Sequence, residues 1–381
     1  MKKVLVLAGT RPEAIKMVPV VRALRAISDM FDVRLCASGQ HKEMLEQAFA
    51  DFDLKPDVDL GVMEPAQTLA SLSARLFTAV DALLEREKPD AILVQGDTTT
   101  AEVASLCAFY RRIPLGHVEA GLRSHDMEAP FPEEMNRRVI SMVGTWHFAP
   151  TELAKKNLLD EKVPAASIFV TGNTVIDALL EMRERIRKSV PALPPKIEAV
   201  LAAKRTIVLI TGHRRESFGQ GFENICEALR QLAERHTDVS FIYPVHLNPA
   251  VGEIVRARLG GIGNIVLEAP LSYKPFVRLM DASKLLLTDS GGLQEEGPSL
   301  GKPVLIMRKT TERPEGVTAG VNKLVGTDVE SIMLNVDRLL TDAAAYKQMA
   351  STKNPYGDGT AGQQIAEILL STLVAGEGYG F

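Results

Sequence analysis

With 381 residues, 46% of them hydrophobic and 24% charged, the chain has the make-up of a globular protein longer than one core usually serves, so two domains are expected and extensive disorder is excluded. A net charge of −4 excludes a general nucleic-acid binder, which carries a basic excess, so a bound anion must be met by local positive charge. No apolar run approaches the ~20 residues that cross a bilayer, and Cys36, Cys107 and Cys226 sit singly in apolar segments, as buried thiols of a chain with no disulfide framework, so no membrane partner and a cytoplasmic location are expected.

In chain order, Met1-Lys2-Lys3 leads into Val4-Leu5-Val6-Leu7-Ala8-Gly9, too short for a signal peptide and followed at once by Thr10-Arg11-Pro12-Glu13, so it reads as a buried first strand. Strands are expected at 4–9, 33–38, 91–96, 113–118 and 168–171, then at 206–211, 239–245, 265–268, 285–288 and 303–307. Most are continuous Val/Ile/Leu runs, the pattern of strands buried on both faces in parallel sheets covered by helices. Helical periodicity fills the gaps, as at 67–87, 98–111, 133–144, 222–235 and 329–342. Pro191, Pro194 and Pro195 mark a linker at 187–205, between an N-terminal domain over 1–186 and a C-terminal domain over 206–360. The two halves open alike: Gly9-Thr10-Arg11-Pro12-Glu13 and Gly212-His213-Arg214-Arg215-Glu216 both read Gly-x-Arg-x-Glu after a buried strand. The expectation is an α/β chain of two doubly wound, Rossmann-like domains facing a central cleft, with ligands outside the carboxyl ends of the strands.

Chemistry-bearing residues gather at those strand ends. Thr288-Asp289-Ser290-Gly291-Gly292 runs from an apolar strand into a helical pattern, which reads either as an anion site of free N–H groups, suited to a diphosphate, or as a plain strand-to-helix turn. Glu296, one turn on, could take ribose hydroxyls. No Gly-x-Gly-x-x-Gly follows the first strand and no Gly-Lys-Ser/Thr loop occurs, which disfavours NAD and ATP chemistry. Arg11 and Lys16 at a Pro12-marked helix start oppose the helix dipole and fit an anionic ligand, or else a solvated face. Asp97 and Glu119 end apolar strands, and Glu133 and Glu134 open a helix. Asp97 reads as an acid or base, or as a helix cap, whereas Glu119 must reach solvent or find a partner. Carboxylates crowded in one cleft separate in pKa, one route to a general acid and a general base. His213 ends its strand where Thr10 ends the first, and is the candidate for contact with a phosphate or leaving group. His246 occupies a similar place one strand later, as a structural or a ligand-facing group, and no spacing suggests a metal site.

Taken in order, Gly9-Thr10-Arg11-Pro12-Glu13-Ala14-Ile15-Lys16, Gly96-Asp97-Thr98-Thr99-Thr100, Gly116-His117-Val118-Glu119-Ala120-Gly121-Leu122-Arg123, Pro132-Glu133-Glu134-x-Asn136-Arg137, Thr171-Gly172-Asn173-Thr174, Gly212-His213-Arg214-Arg215-Glu216, Ser290-Gly291-Gly292, Thr311-Glu312-Arg313-Pro314-Glu315 and Asn354-Pro355-Tyr356-Gly357-Asp358-Gly359 resemble the non-hydrolysing bacterial UDP-N-acetylglucosamine 2-epimerases, from residue 1 to about 370. The resemblance implies a glycosyltransferase B type fold whose C-terminal segment, 361–381, returns a helix to the first domain and ends in a tail. It implies interconversion of UDP-N-acetylglucosamine and UDP-N-acetylmannosamine for surface polysaccharide synthesis, by elimination of UDP to a 2-acetamidoglucal and re-addition, with no cofactor, in a homodimer. It implies that Asp97, Glu119, Glu133 and His213 are catalytic. Arg11, Lys16, Ser290, Gly291, Gly292, Glu296 and Arg313 fall at UDP-contacting positions, and Phe276 beside uracil. Gln40, His41 and Gln67, with the Gly212–Glu216 segment, fall where an activating second substrate molecule binds. Gln95 and Lys309 depart from the His and Asp common in the family, and Glu43 and Ala66 from residues common at its regulatory site. A hydrolysing 2-epimerase and a glycosyltransferase of the same fold are the competing functions, and a non-catalytic nucleotide-sugar sensor is the third.

Overall fold

The computed structural model describes residues 1–39, 42–64, 67–214 and 218–376. The chain divides into two compact units, Met1–Ala178 with Tyr356–Phe381, and Leu179–Pro355. Among the described residues no helix is long and apolar enough to cross a membrane.

The first unit is built on seven strands, Lys2–Ala8 (β1), Phe31–Ala37 (β2), Val58–Asp59 (β3), Ala91–Gln95 (β4), Leu115–Val118 (β5), Trp146–Ala149 (β6) and Ile168–Val170 (β7). All pairs are parallel, in the order β3-β2-β1-β4-β5-β6-β7. The sheet is covered by helices such as Leu69–Glu87, Thr99–Tyr110 and Glu133–Val143. Val4 to Ala8 and all of β4 are buried, as continuous apolar runs require when both faces are covered. Leu5, Leu7, Ile92 and Val94 meet Leu72, Leu76 and Val80 of the helix Leu69–Glu87 in one core. The helix Arg11–Ala26 starts on a capping box, Thr10 and Glu13 each taking the other's backbone N–H, with proline in its first turn. The C-terminal helix Ala361–Leu369 packs on Arg11–Ala26, where Gly362 lies so close to Pro19 that a Cβ would stand 2.8 Å from its carbonyl carbon. Asp177 Oδ1 accepts the Gly362 N–H at 2.8 Å and fixes that helix start.

The second unit repeats the plan with six strands, Thr206–Thr211 (β8), Val239–Pro244 (β9), Ile265–Glu268 (β10), Leu285–Thr288 (β11), Val304–Ile306 (β12) and Asn322–Leu324 (β13). Its order, β10-β9-β8-β11-β12-β13, matches that of the first sheet apart from the extra edge strand, and again every pair is parallel. The related topology expected from the two Gly-x-Arg-x-Glu openings is present. Segment 187–205 belongs to this unit and carries the helix Pro195–Ala202. Arg278 holds it, bonding Glu198 Oε1 at 2.5 Å and the Pro191 carbonyl at 2.7 Å.

Three strands lie outside the sequence expectations. β3 and β13 are edge strands of two and three residues, too short to show a pattern. β6 hides its character because Trp146 and His147 are buried at 1% exposure in place of aliphatic residues. The three cysteines are free and buried, as expected.

Candidate functional site

In each sheet the strand order reverses beside the first strand, between β1 and β4 and between β8 and β11, the crevice where doubly wound sheets take ligands. In the first unit β1 delivers Arg11 and Lys16, β4 delivers Asp97 and β5 delivers Glu119. The Gly96 N–H bonds the Val118 carbonyl at 3.0 Å, which aligns the two strand ends and leaves Asp97 and Glu119 one residue beyond it. Glu119 itself sits at φ +66°, a left-handed conformation that side chains rarely adopt and that turns its carboxylate out of the strand line. Two residues on, only glycine is possible at 121, because a Cβ would lie 2.2 Å from the Ala154 carbonyl oxygen.

Glu119 is 8% exposed, and its Oε2 accepts from Lys16 Nζ at 2.5 Å and Asn173 Nδ2 at 2.7 Å. The partner that Glu119 demanded is therefore Lys16, the cation read from sequence as facing an anionic ligand. Asp97 is not the helix cap that was its alternative: Thr98 takes that place, accepting the Ala101 N–H at 3.1 Å. The Asp97 carboxylate is instead bound by Arg137 Nη1 at 2.6 Å, and its carbonyl by Asn136 Nδ2 at 2.8 Å. Burial raises the Asp97 pKa above the usual range, Arg137 opposes this, and Glu119 and Glu133 add to it. Glu133 opens the helix Glu133–Val143, and its Oε2 is shielded from water without a hydrogen-bond partner among the described residues. Three carboxylates thus share one field at the switch point of the first sheet.

Around them, Glu13 Oε2 accepts from Gly9 and Thr10 N–H at 3.1 and 2.7 Å, and Oε1 takes the Thr98 hydroxyl at 2.8 Å. Glu13 so ties the β1 turn to the β4 turn, and burial pushes its pKa up to about 7. His117 bonds the Gly96 carbonyl through Nε2 at 2.7 Å, so Nε2 carries the proton, and burial pushes the ring down to about 4.

In the second unit His213 follows β8. Its Nδ1 lies 3.1 Å from Oδ1 of Asp289, which follows β11, while Asp289 Oδ2 accepts the His213 and Arg214 N–H groups at 2.7 and 2.8 Å. Burial works against the Asp289 charge, but its contacts with His213 prevail and hold its pKa low, so an anion lies beside the imidazole. His246 stacks on His213 with ring centres 5.2 Å apart. The helix Gly291–Ser299 begins after Ser290 with no side chain capping it. Arg313 lies over that start: a Cβ on Gly291 would be 2.6 Å from its Nη1, and its Nε bonds Glu295 Oε1 at 2.6 Å. Uncapped helix N–H groups under a guanidinium have the chemistry to take an anion. Glu296 accepts the Tyr273 hydroxyl at 2.9 Å, and half-buried Phe276 follows one turn later on Tyr273–Ala282.

Arg11 is exposed on the first turn of its helix with no hydrogen bond or ion pair among the described residues. Gln67 is drawn to its own neighbourhood, accepting from Arg75 and donating to Met63 Sδ at 2.6 Å. Gln40, His41, Arg215 and Glu216 lie outside the described residues. Sequence reasoning assigned no role to Asn173, Arg137 or Asp289. Asp289 directly follows a buried strand and Asn173 directly precedes a helix, a local signal that Arg137, inside its helix, lacks. No cluster of His, Cys, Asp and Glu suited to a metal occurs among the described residues.

The family model described as UDP-N-acetylglucosamine 2-epimerase matches residues 22–370. The chain is 54% identical over 375 residues to the UDP-N-acetylglucosamine 2-epimerase of Yersinia pestis, covering 98% of this chain and 99% of that protein. Against the Escherichia coli K12 protein of the same description the identity is 50% over 380 residues, covering 98% and 100%. The crystal structure of UDP-GlcNAc 2-epimerase from Neisseria meningitidis bound to UDP-GlcNAc matches with a TM-score of 0.90 at 45% identity, over 97% of this chain and 100% of that one. The fold is of the glycosyltransferase B type shared by these enzymes. A match that runs through both units and takes in every candidate residue but Arg11 and Lys16 within the family model itself places the chain in the UDP-N-acetylglucosamine 2-epimerase family.

Proposed function

We propose that the chain catalyses reversible epimerisation at C2 of UDP-N-acetylglucosamine to give UDP-N-acetylmannosamine, by elimination and re-addition of UDP. The C2 hydrogen has no adjacent carbonyl to acidify it. Departure of UDP builds positive character on the sugar, and a carboxylate then takes the C2 proton as the C1–O bond breaks. UDP and a 2-acetamidoglucal result. A second acid returns a proton to the opposite face of C2, and the UDP oxygen adds back at C1, so atoms and charge balance.

The observation that carries this reading is the trio Asp97, Glu119 and Glu133 at one switch point, with Asp97 raised in pKa and Glu119 paired with a cation, because unlike environments separate acid from base. The second unit is assigned the leaving group: Ser290, Gly291, Gly292 and Arg313 for the diphosphate, His213 beside it, Glu296 for the ribose and Phe276 for the uracil. Donors fixed in advance stabilise the charge that grows on departing UDP. Arg11 and Lys16 are assigned to substrate binding. The chain is assigned to the cytoplasm and to a homodimer, which sedimentation would register as twice the mass of the chain.

Incubation with UDP-N-acetylglucosamine alone, followed by proton NMR, tests the assignment. UDP-N-acetylmannosamine should appear and reach a plateau beside unconsumed substrate. Free N-acetylmannosamine with stoichiometric UDP would mean a hydrolysing enzyme, and an unchanged spectrum a transferase waiting for an acceptor.

A further inference from the structure

One helix start holds Asp97 at both its backbone and its side chain. Glu133, Glu134, Asn136 and Arg137 all belong to the first turns of Glu133–Val143. Asn136 is 2% exposed and binds the Asp97 carbonyl, and Arg137, 6% exposed, binds its carboxylate. Arg137 is in turn aimed from behind. Its Nε donates to Oε2 of Glu134 at 3.2 Å, three residues back on the same helix. Glu134 is fully buried and is itself held by the Ser124 N–H at 3.0 Å, the His125 N–H at 3.3 Å and Arg138. A planar guanidinium gripped on one edge by Glu134 has little freedom at the other edge, where it meets Asp97. The same helix presents Glu133 one turn before Arg137, on the same face.

We propose that Arg137 is the positioning residue for Asp97, aimed by the buried Glu134, so that Asp97 and Glu133 are set in register by a single helix start. The proposal rests on the reading of Asp97 as a proton-handling group. Four charged groups face Asp97: Arg137, Glu119, Glu133 and Lys16. Arg137 and Lys16 favour its ionised form and the two glutamates oppose it, so removing Arg137 moves its ionisation to higher pH.

The test compares Arg137→Met, Arg137→Lys, Glu134→Gln and Asp97→Asn in the full-length enzyme, by thermal melting, kcat, KM and the pH profile of kcat/KM. Arg137→Met should lower kcat about a hundredfold or more with KM changed far less. One limb of its pH profile should move to higher pH by about one unit, as loss of a neighbouring charge demands. Arg137→Lys keeps the charge without the fork, so its limb should stay near the wild-type position while kcat remains depressed. Because it preserves the charge, it also serves should Arg137→Met not fold. Glu134→Gln should lower kcat without moving the limb. Wild-type kcat and an unmoved limb in Arg137→Met, with Asp97→Asn inactive, would overturn the positioning role alone. Wild-type kcat in Arg137→Lys would overturn the need for the fork. Full activity in Asp97→Asn would remove the proton-handling reading and this proposal with it.

Discussion

Buried ionisable side chains dominate the chemistry at the scale of single residues, and they make stability depend on pH. His117 and His147 are held neutral by burial, which pushes their pKa values down to about 4 and about 3 against 6.5 for a free imidazole. The unfolded chain takes up protons below 6.5 while the folded chain does not, so stability falls as pH drops from there until the folded values are reached. Glu13, raised to about 7 from 4.5, works the other way: the folded chain keeps a proton that the unfolded chain releases, and stability falls as pH rises between those values. The two trends overlap, so a single wild-type curve does not separate them. His147→Gln does. The difference in unfolding free energy between near pH 7 and about pH 5 should be smaller in the variant than in the wild type by roughly 2 kcal/mol, read from urea titrations at both values. Identical differences in the two proteins would show that His147 is protonated in the folded chain.

Among the elements, those that bury both faces announced themselves and those at the margins did not. β4, Ala-Ile-Leu-Val-Gln, could be read directly because every side chain is buried, whereas β13, Asn-Lys-Leu, is an edge strand whose first residue spends its amide on the Gln294 carbonyl. The candidate site divides in the same way. Asp97, Glu119 and His213 were legible because a polar residue directly after an apolar run has few structural reasons to be there. Their partners were not, since Asn173 reaches Glu119 across 54 positions and Arg137 reaches Asp97 across 40, and no local pattern encodes such pairings. The helix Gly291–Ser299 shows why motif residues need an environment to be understood. Gly291 is not required by backbone conformation but by Arg313, whose guanidinium, bonded to Glu295, a methyl there would displace. Gly291→Ala should lower the melting temperature only modestly, because the better helix propensity of alanine partly offsets the disturbed pair of Arg313 with buried Glu295. By displacing the guanidinium it should also weaken UDP binding by roughly tenfold to a hundredfold, the worth of one charged contact. Calorimetry showing wild-type affinity would place Arg313 outside the anion site.

For the whole molecule, two units carry sheets of the same strand order, the first with one further edge strand. The C-terminal helix belongs to the first unit, seated on the helix that carries Arg11 and Lys16. In the proposed reaction UDP leaves and returns while the proton at C2 passes through a carboxylate. A carboxyl proton exchanges with solvent, whereas a hydrogen carried directly from one face of the sugar to the other does not. The most direct measurement is therefore the conversion of UDP-N-acetylglucosamine in heavy water, with the product read by proton NMR and mass spectrometry. UDP-N-acetylmannosamine bearing deuterium at C2 is expected, with a trace of glycal and UDP on long incubation. Product that keeps its original hydrogen at C2 would contradict the proposed reaction.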